Sequence, residues 1–187
     1  MPRTKLKSDD EVLDVAARVM RSRGPDDFTL ADVAAEAGIA PSTLIQRFGD
    51  KHGLVVRAAR RENLRFAAIL DDAPRATGVE AVVDLFWSLT PGEDDEAALA
   101  DQLLWLRQDL RDPELNGLAR ERFVMLREAL AARLPPLRMS EDFALRLLVA
   151  QWQGALVQWG VEPQGGLGDY VAESLAAWLE TATIQTE

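Results

Sequence analysis

Apolar residues recur three or four positions apart along almost the whole chain of 187 residues. This is the spacing of one face of an α-helix, and the chain lacks the alternating, β-branched runs that a half-buried strand requires. Glycine and proline interrupt the pattern at intervals of about one helix length, as at Gly24, Gly49 and Pro135. The sequence therefore predicts an all-α protein of about nine helices.

Short signals mark where several of these helices begin. In a capping box, a serine or threonine hydroxyl accepts a hydrogen bond from the backbone three residues later, and an acidic side chain there bonds back. The pattern occurs at Ser8–Glu11, Thr29–Asp32 and Thr77–Glu80, and each occurrence predicts a helix start. Asp50 is predicted to cap the long fourth helix, and Pro113 occupies a predicted first helical position.

Charge is distributed unevenly along the chain. The net charge is −10, but residues 1–65 carry 12 basic and 10 acidic side chains, whereas residues 66–187 carry 9 basic and 21 acidic ones. An anion-binding N-terminal part joined to a different body gives such an asymmetry. A solvated acidic surface gives it as well, so the charge alone does not identify a partner.

Composition excludes several kinds of site. The chain has no cysteine, which rules out a disulfide scaffold, a zinc–thiolate site and thiol catalysis. Its only histidine, His52, lacks the partners that a metal site needs, so neither a metal nor a cofactor is expected. No apolar run reaches the length of about 18 residues that a membrane span requires, and the first residues, which become acidic before any apolar run, lead us to expect no secretory signal. We therefore expect a cytoplasmic protein.

Residues 28–54, FTLADVAAEAGIAPSTLIQRFGDKHGL, predict two short helices joined by a tight turn at glycine. Ala34 is small enough to let the second helix pack closely, and Gly38 can adopt the positive φ that the turn needs. Three apolar side chains are expected to fix the angle between the helices: Val33, Ile39 and Leu44. The segment reads as a helix-turn-helix, although an ordinary helical hairpin has the same parts.

The sequence around this segment narrows the interpretation. A capped helix precedes it, and F-x-x-K-x-x-L (Phe48, Lys51 and Leu54) follows it at the start of a long helix. This arrangement, over about residues 8–56, resembles the DNA-binding domain of the tetracycline-repressor (TetR) family of bacterial regulators. The later helix pattern and the RDPEL stretch at residues 111–115 are similar to members of that family.

The resemblance implies two domains and a DNA-reading helix. A three-helix helix-turn-helix domain is expected over residues 1–50, and a helical effector-binding and dimerisation domain over residues 51–187. The third helix of the family lies in the major groove, so DNA contacts are expected from Thr29, Pro41, Ser42, Thr43, Gln46, Arg47 and Lys51. Gln46 can bind adenine in bidentate fashion, and Arg47 can bind guanine or a phosphate.

This chain departs from the family pattern at two positions of that helix. Members commonly have a tyrosine, and often a basic residue, where this chain has Ile45 and Pro41. A hydroxyl that contacts phosphate is therefore absent at position 45.

In the family, the effector pocket lies among helices four to eight. The residues expected to line it are Leu64, Phe86, Trp105, Met125, Gln151 and Trp152. The last two helices are expected to form a homodimer interface, with Gly154 and Ala155 permitting close approach. Apolar residues of these helices also exceed what one small domain is expected to bury: Leu148, Leu156, Val171, Leu175 and Trp178.

The function implied is a ligand-responsive regulator, most simply a repressor that binds an inverted-repeat operator in double-stranded DNA and is released by a small lipophilic effector. No catalytic residue is predicted. Two other classes stay open, namely an all-helical protein-interaction module and an enzyme that uses the carboxylates of Asp94, Asp95 or Asp101. Those acids lie at a helix start, where the helix dipole favours them without any catalysis.

Overall fold

The computed structural model describes residues 7–24, 27–90 and 96–184, with the side chains of residues 96–98, 101 and 102 left out. These ranges form nine α-helices and a single isolated β-bridge, which confirms the all-α prediction. Asp94 and Asp95 lie outside the described residues, as does the side chain of Asp101. The helices are α1 (Asp9–Arg23), α2 (Leu30–Ala37), α3 (Pro41–Phe48), α4 (Lys51–Asp72), α5 (Val79–Leu89), α6 (Glu96–Arg111), α7 (Pro113–Ala131), α8 (Glu141–Val161) and α9 (Leu167–Ala182).

Two of the three predicted capping boxes are confirmed. The Ser8 hydroxyl accepts from the Glu11 amide at 3.1 Å, and the Glu11 carboxylate accepts from the Ser8 amide at 2.7 Å. Thr29 and Asp32 make the equivalent pair of bonds at the start of α2. Each box therefore satisfies two amides that the first turn of a helix leaves without a partner.

The third box, at Thr77, is wrong. Helix α5 begins at Val79 with Gly78 as its N-cap, and no side chain caps it. Gly78 has a φ of 127°, and its amide donates to the carbonyl oxygen of Arg133 at 2.9 Å. The start of α5 is thus set by a glycine conformation and a tertiary hydrogen bond rather than by the Thr77 hydroxyl.

The start of α4 agrees with the sequence. The Asp50 carboxylate accepts from the Gly53 amide at 2.8 Å, so Asp50 caps the helix as predicted. Pro113 is the first residue of α7, also as predicted. The Asp112 carboxylate before it accepts from the amides of Glu114 and Leu115 at 2.9 and 3.0 Å. Both caps place an anion at the positive end of a helix dipole.

The chain divides into two compact units, each with its own core. The first consists of Met1–Arg65 and Asp101–Glu121, and the second of Phe66–Ala100 and Arg122–Glu187. Helix α4 contributes residues to both. The largest fully buried side chains of the first unit are Met20, Phe28, Leu44 and Leu54, and those of the second include Phe86, Leu130, Leu148 and Leu175. The division into residues 1–50 and 51–187 is a division along the sequence and stays a prediction.

The second unit buries side chains that the sequence analysis assigned to a dimer interface. Leu148, Leu156, Val171 and Leu175 are buried within this single chain, and Trp178 packs half-buried against the same cluster. Helix α9 packs against both α5 and α8, which gives these residues partners in their own unit. The expectation that they exceed the burial capacity of one protomer is therefore wrong.

Candidate nucleic-acid interface

A tight turn joins α2 to α3. Gly38 ends α2 in the left-handed conformation, with φ 67° and ψ 34°. Its amide donates to the Ala35 carbonyl at 3.1 Å, and the Ile39 amide donates to the Ala34 carbonyl at 3.0 Å. A residue with a Cβ is strained in this conformation, so the turn requires glycine.

The two helices pack through small and apolar side chains. Val33, Ala34 and Ala37 are buried on α2, and Leu44 and Phe48 are buried on α3. Contact between α2 and α3 and between α1 and α2 completes a three-helix unit. The residues therefore form the helix-turn-helix that the sequence predicts.

The face of α3 opposite this core is exposed. Pro41, Ser42, Ile45 and Gln46 are exposed, and Thr43 is half-buried. The exposed side chains lie one helical turn apart or side by side, so they share one face of the helix. The exposed face thus contains three of the seven residues that the family resemblance assigned to DNA contact, with the half-buried Thr43 beside them. Ile45, which is not one of the seven, lies on the same face.

Arg47 is engaged within the protein. Its Nε donates to the Asp9 carboxylate at 2.6 Å, and its Nη1 donates to the Lys7 carbonyl oxygen at 2.9 Å. The Arg47 side chain is only 16% exposed. These bonds fix α3 against the start of α1, which the sequence pattern did not indicate.

Thr29 and Lys51 lie at the two other expected contact positions. The Thr29 hydroxyl donates to the Asp32 carboxylate at 2.7 Å, and this bond lowers the pKa of Asp32 below its ordinary value. The Lys51 ammonium lies 4.3 Å from the centroid of the Phe28 ring, a cation–π distance that holds the charge near the start of α4. Both side chains thus have fixed positions at helix N-termini.

An ionic cluster joins α1 to α4. Asp14 accepts hydrogen bonds from Arg61 and Arg65, and Asp10 lies 3.0 Å from the Arg61 guanidinium. The bond from Arg61 lowers the pKa of Asp14, against the opposing effect of burial, and it raises the pKa of Arg61 in turn. Helices α1 and α4 are therefore held together by ion pairs as well as by packing in their common core.

The second segment of the first unit is fixed on α4. His52 Nε2 lies 2.8 Å from the Asp112 carboxylate, and the Asn63 amide donates to the Leu118 carbonyl at 3.0 Å. The bond from the Leu115 amide lowers the pKa of Asp112, and His52 adds to this effect. His52 thus contacts Asp112, which caps α7. The two residues are too far apart in the sequence for a local motif to indicate this contact.

The six side chains expected at the effector pocket fall in different units. Leu64, which is 71% exposed, and the half-buried Trp105 belong to the first unit. Phe86, Met125, Gln151 and Trp152 belong to the second, and Gln151 is half-buried there.

Two of these residues contact each other. The ring centroids of Phe86 and Trp152 are 5.2 Å apart, and Met125 packs against the same core. Trp152 Nε1 is buried and finds no hydrogen-bond acceptor among the described residues. A buried indole N–H usually has a partner, so Trp152 departs from the usual pattern.

Comparison with known proteins agrees with this geometry. Residues 12–58 match the family model of bacterial regulatory proteins of the tetR family. No curated protein matches the chain. Within the described residues, no helix is both long and apolar enough to cross a membrane.

Several solved structures share the fold. A TetR-family member from Streptomyces coelicolor A3 has a TM-score of 0.71 and 23% identity, covering 92% of this chain and 98% of its own. The multidrug binding protein EbrR, complexed with proflavin, has a TM-score of 0.65 and 25% identity, covering 90% and 97%. A transcriptional regulator from Saccharomonospora viridis, complexed with choline, has a TM-score of 0.73 and 19% identity, covering 94% and 97%.

A helix-turn-helix whose second helix has an exposed face is the arrangement of a DNA-binding domain. Residues 12–58 belong to the tetR family of bacterial regulatory proteins. Over nine tenths of its length or more, the chain has the same fold as solved proteins that include a member of the TetR family.

Proposed function

We propose that this regulator reads double-stranded DNA with the exposed face of α3 and that a small molecule bound in its second unit controls the reading. The observation that supports DNA reading by α3 is the exposure of one face of that helix. Pro41, Ser42 and Gln46 are exposed on a helix whose opposite side is fixed in the core of a helix-turn-helix. A helix presented in this way enters the major groove, where base edges differ in their donors and acceptors.

The expected contacts divide into two kinds. Gln46 has the amide that binds adenine in bidentate fashion, and Ser42 and Thr43 have hydroxyls that bind several bases or phosphates. Thr29 and Lys51 lie at helix N-termini and suit phosphates. Contact of Arg47 with DNA would compete with its bonds to Asp9, so that contact stays a prediction.

The test begins with selection of duplexes from a random library by the full chain. Gln46→Ala should cost about 1–3 kcal/mol on the selected duplex and relax its preference at one base position. Lys51→Ala should weaken binding to selected and random duplexes alike and reduce the salt dependence, because it removes a phosphate contact. If Gln46→Ala leaves the preference unchanged at every position, the direct reading by α3 is contradicted.

We propose a homodimer formed through α8 with α9 beside it. Six small or apolar residues alternate four and three positions apart along α8: Phe143, Leu147, Ala150, Gly154, Val157 and Val161. All except the half-buried Leu147 are exposed, and Val161 is 82% exposed. A spacing of 3.5 residues is that of a helix packing against a second helix, and Gly154 has open space above it. Two such copies read two related half-sites, so we expect an inverted-repeat operator.

We propose that the effector is a lipophilic organic cation bound beside Trp152. Residues 66–187 carry 9 basic and 21 acidic side chains, and Phe86 and Trp152 supply aromatic faces that attract a cation. Two regulators of the same fold were solved with proflavin and with choline, which are both cations. Helix α4 belongs to both units, so a shift of α4 on binding would change the DNA-reading unit and release the operator, as a repressor requires.

Proflavin is a practical probe of this proposal. Trp152→Phe should weaken proflavin binding because phenylalanine has a smaller and weaker cation–π face than the indole, whereas Trp87→Phe, at an exposed tryptophan, should not. Selected operator duplex should weaken proflavin binding by the same factor by which proflavin weakens operator binding, since coupling is reciprocal. Equal proflavin affinities with and without the duplex would show that proflavin binds without acting on DNA binding.

A further inference from the structure

The exposed face of α3 contains one large apolar side chain that the contacts above leave without a role. Ile45 is 52% exposed, while its neighbour Leu44 is completely buried. Ser42 lies three positions before Ile45 and Gln46 one position after it, and both are exposed. Ile45 is thus at the centre of the face that enters the groove.

The chemistry of this side chain restricts what it can contact on DNA. An isoleucine has no donor or acceptor, so it cannot hold a phosphate or read a hydrogen-bonding base edge. The apolar group that the major groove presents is the C5 methyl group of thymine. A β-branched side chain in a helix also has one dominant χ1 rotamer, so its methyl groups have a fixed position at little entropic cost.

The neighbouring side chains support the same assignment. Arg47, the residue suited to guanine, is bonded to Asp9 and to the Lys7 carbonyl. The side chains left to read bases are those of Ser42, Thr43, Ile45 and Gln46, and the amide of Gln46 suits adenine. This set favours A·T base pairs in each half-site.

We propose that Ile45 is a specificity-determining residue that recognises a thymine by its C5 methyl group. The proposal rests on the proposed function, because it requires α3 to enter the major groove. It adds a base identity that neither the fold nor the family assigns.

The direct test replaces each thymine of the selected duplex in turn by deoxyuridine, which lacks only the methyl group. Loss of one buried methyl group corresponds to about fourfold in affinity, so replacement in both half-sites should weaken wild-type binding about 15-fold at one symmetric position. Replacement at the other thymines should change affinity by less than about twofold.

The same position must then lose its sensitivity when the isoleucine is shortened. Ile45→Ala should bind the thymine and deoxyuridine duplexes with affinities within about twofold of each other, whereas Ile45→Val should keep most of the difference. Ile69→Ala, at another exposed isoleucine outside α3, should behave as wild type. Circular dichroism of each variant verifies that the exposed substitutions leave the fold intact.

Each outcome bears on one claim. If no thymine is sensitive in wild type, or if a sensitive thymine stays sensitive in Ile45→Ala, Ile45 does not read the methyl group and the inference is overturned. If no duplex is enriched from the library, the proposed function itself fails, and the inference fails with it. Sensitivity that Ile45→Ala abolishes and Ile45→Val retains is the result we expect.

Discussion

Asp14 is the anion on which two cations of the DNA-reading unit converge. It accepts hydrogen bonds from Arg61 and Arg65, and the side chains of Asp14 and Arg61 are partly shielded from solvent. A charge-assisted bond of this kind is stronger than a pair on the open surface, and removal of the anion leaves two guanidinium groups close together without compensation. Asp14 therefore contributes to the position of α1 on α4.

Asp14→Asn should lower the free energy of unfolding by about 1–2 kcal/mol at neutral pH. The pKa of Asp14 is below 3.8 in the folded protein, so its stabilisation is present above the unfolded value and is lost as the pH falls through the folded value. The difference between wild type and variant should be constant near neutral pH and shrink below about pH 4. Urea denaturation at a series of pH values measures this difference in the free energy of unfolding.

Asp142→Asn is the matched control, because Asp142 pairs with Arg146 on the exposed surface of α8. Such an i,i+4 pair contributes about 0.3–0.5 kcal/mol. Equal destabilisation by the two substitutions, or a difference for Asp14→Asn that persists to low pH, would contradict the role assigned to the cluster.

Single residues also show where prediction from sequence ends. Helical periodicity and the motif around Gly38 identified α3 and its exposed face, including Gln46. They could not identify the ion pair of Arg47 with Asp9 or the contact of His52 with Asp112, because these partners are 38 and 60 positions apart in sequence. Contacts over such distances depend on tertiary packing, which local patterns do not encode.

Helix boundaries were predictable where the chain's own local chemistry decides them. The boxes at Ser8 and Thr29 are complete within four residues, and Gly38 supplies the one backbone conformation that a side chain would strain. The start of α5 was not predictable, because Gly78 is fixed by a hydrogen bond to the carbonyl of Arg133 on a distant helix end. At this helix start, the tertiary hydrogen bond of Gly78 determines where α5 begins, and the local capping signal at Thr77 does not.

The claim that the turn between α2 and α3 requires glycine can be tested by substituting two glycines of the first unit. Gly38→Ala should destabilise the protein by about 1 kcal/mol, because alanine is strained at φ 67°. Gly117→Ala should stabilise it by about 0.5–1 kcal/mol, because Gly117 lies within α7 and an added Cβ meets open space. Chemical denaturation gives both values, and a destabilised Gly117→Ala or an unaffected Gly38→Ala would show that the backbone argument does not hold.

At the scale of the whole molecule, the chain has two cores rather than one. The residues expected at the effector pocket include Leu64 and Trp105 from the first unit and Phe86 and Trp152 from the second. The periodicity of a helix shows which side is apolar, but it does not show which of two cores that side joins. For this reason the sequence could predict the helices and the exposed face of α3, but it could not predict which core each of the expected pocket residues joins.

The dimer proposal distinguishes two apolar surfaces of the last helices. Val157→Arg places a charge on the exposed stripe of α8, so it should yield a folded monomer. Leu175→Arg places a charge in the core of the second unit, so it should unfold the protein instead. Sedimentation velocity with circular dichroism separates the outcomes. A wild-type monomer at micromolar concentration, or a Val157→Arg dimer, would contradict the proposed interface.

The most direct test of the account is the affinity of the wild-type protein for the selected inverted repeat when the distance between half-sites is changed. Two α3 helices held by one dimer can enter the groove together only when the half-sites face the same side of the duplex. Insertion of about five base pairs turns one half-site to the opposite side and should lower the affinity at least tenfold, and insertion of about ten should restore part of it. Affinity that is the same at every spacing, or no greater than that for random duplex, would contradict the account of this chain as a dimeric reader of DNA sequence.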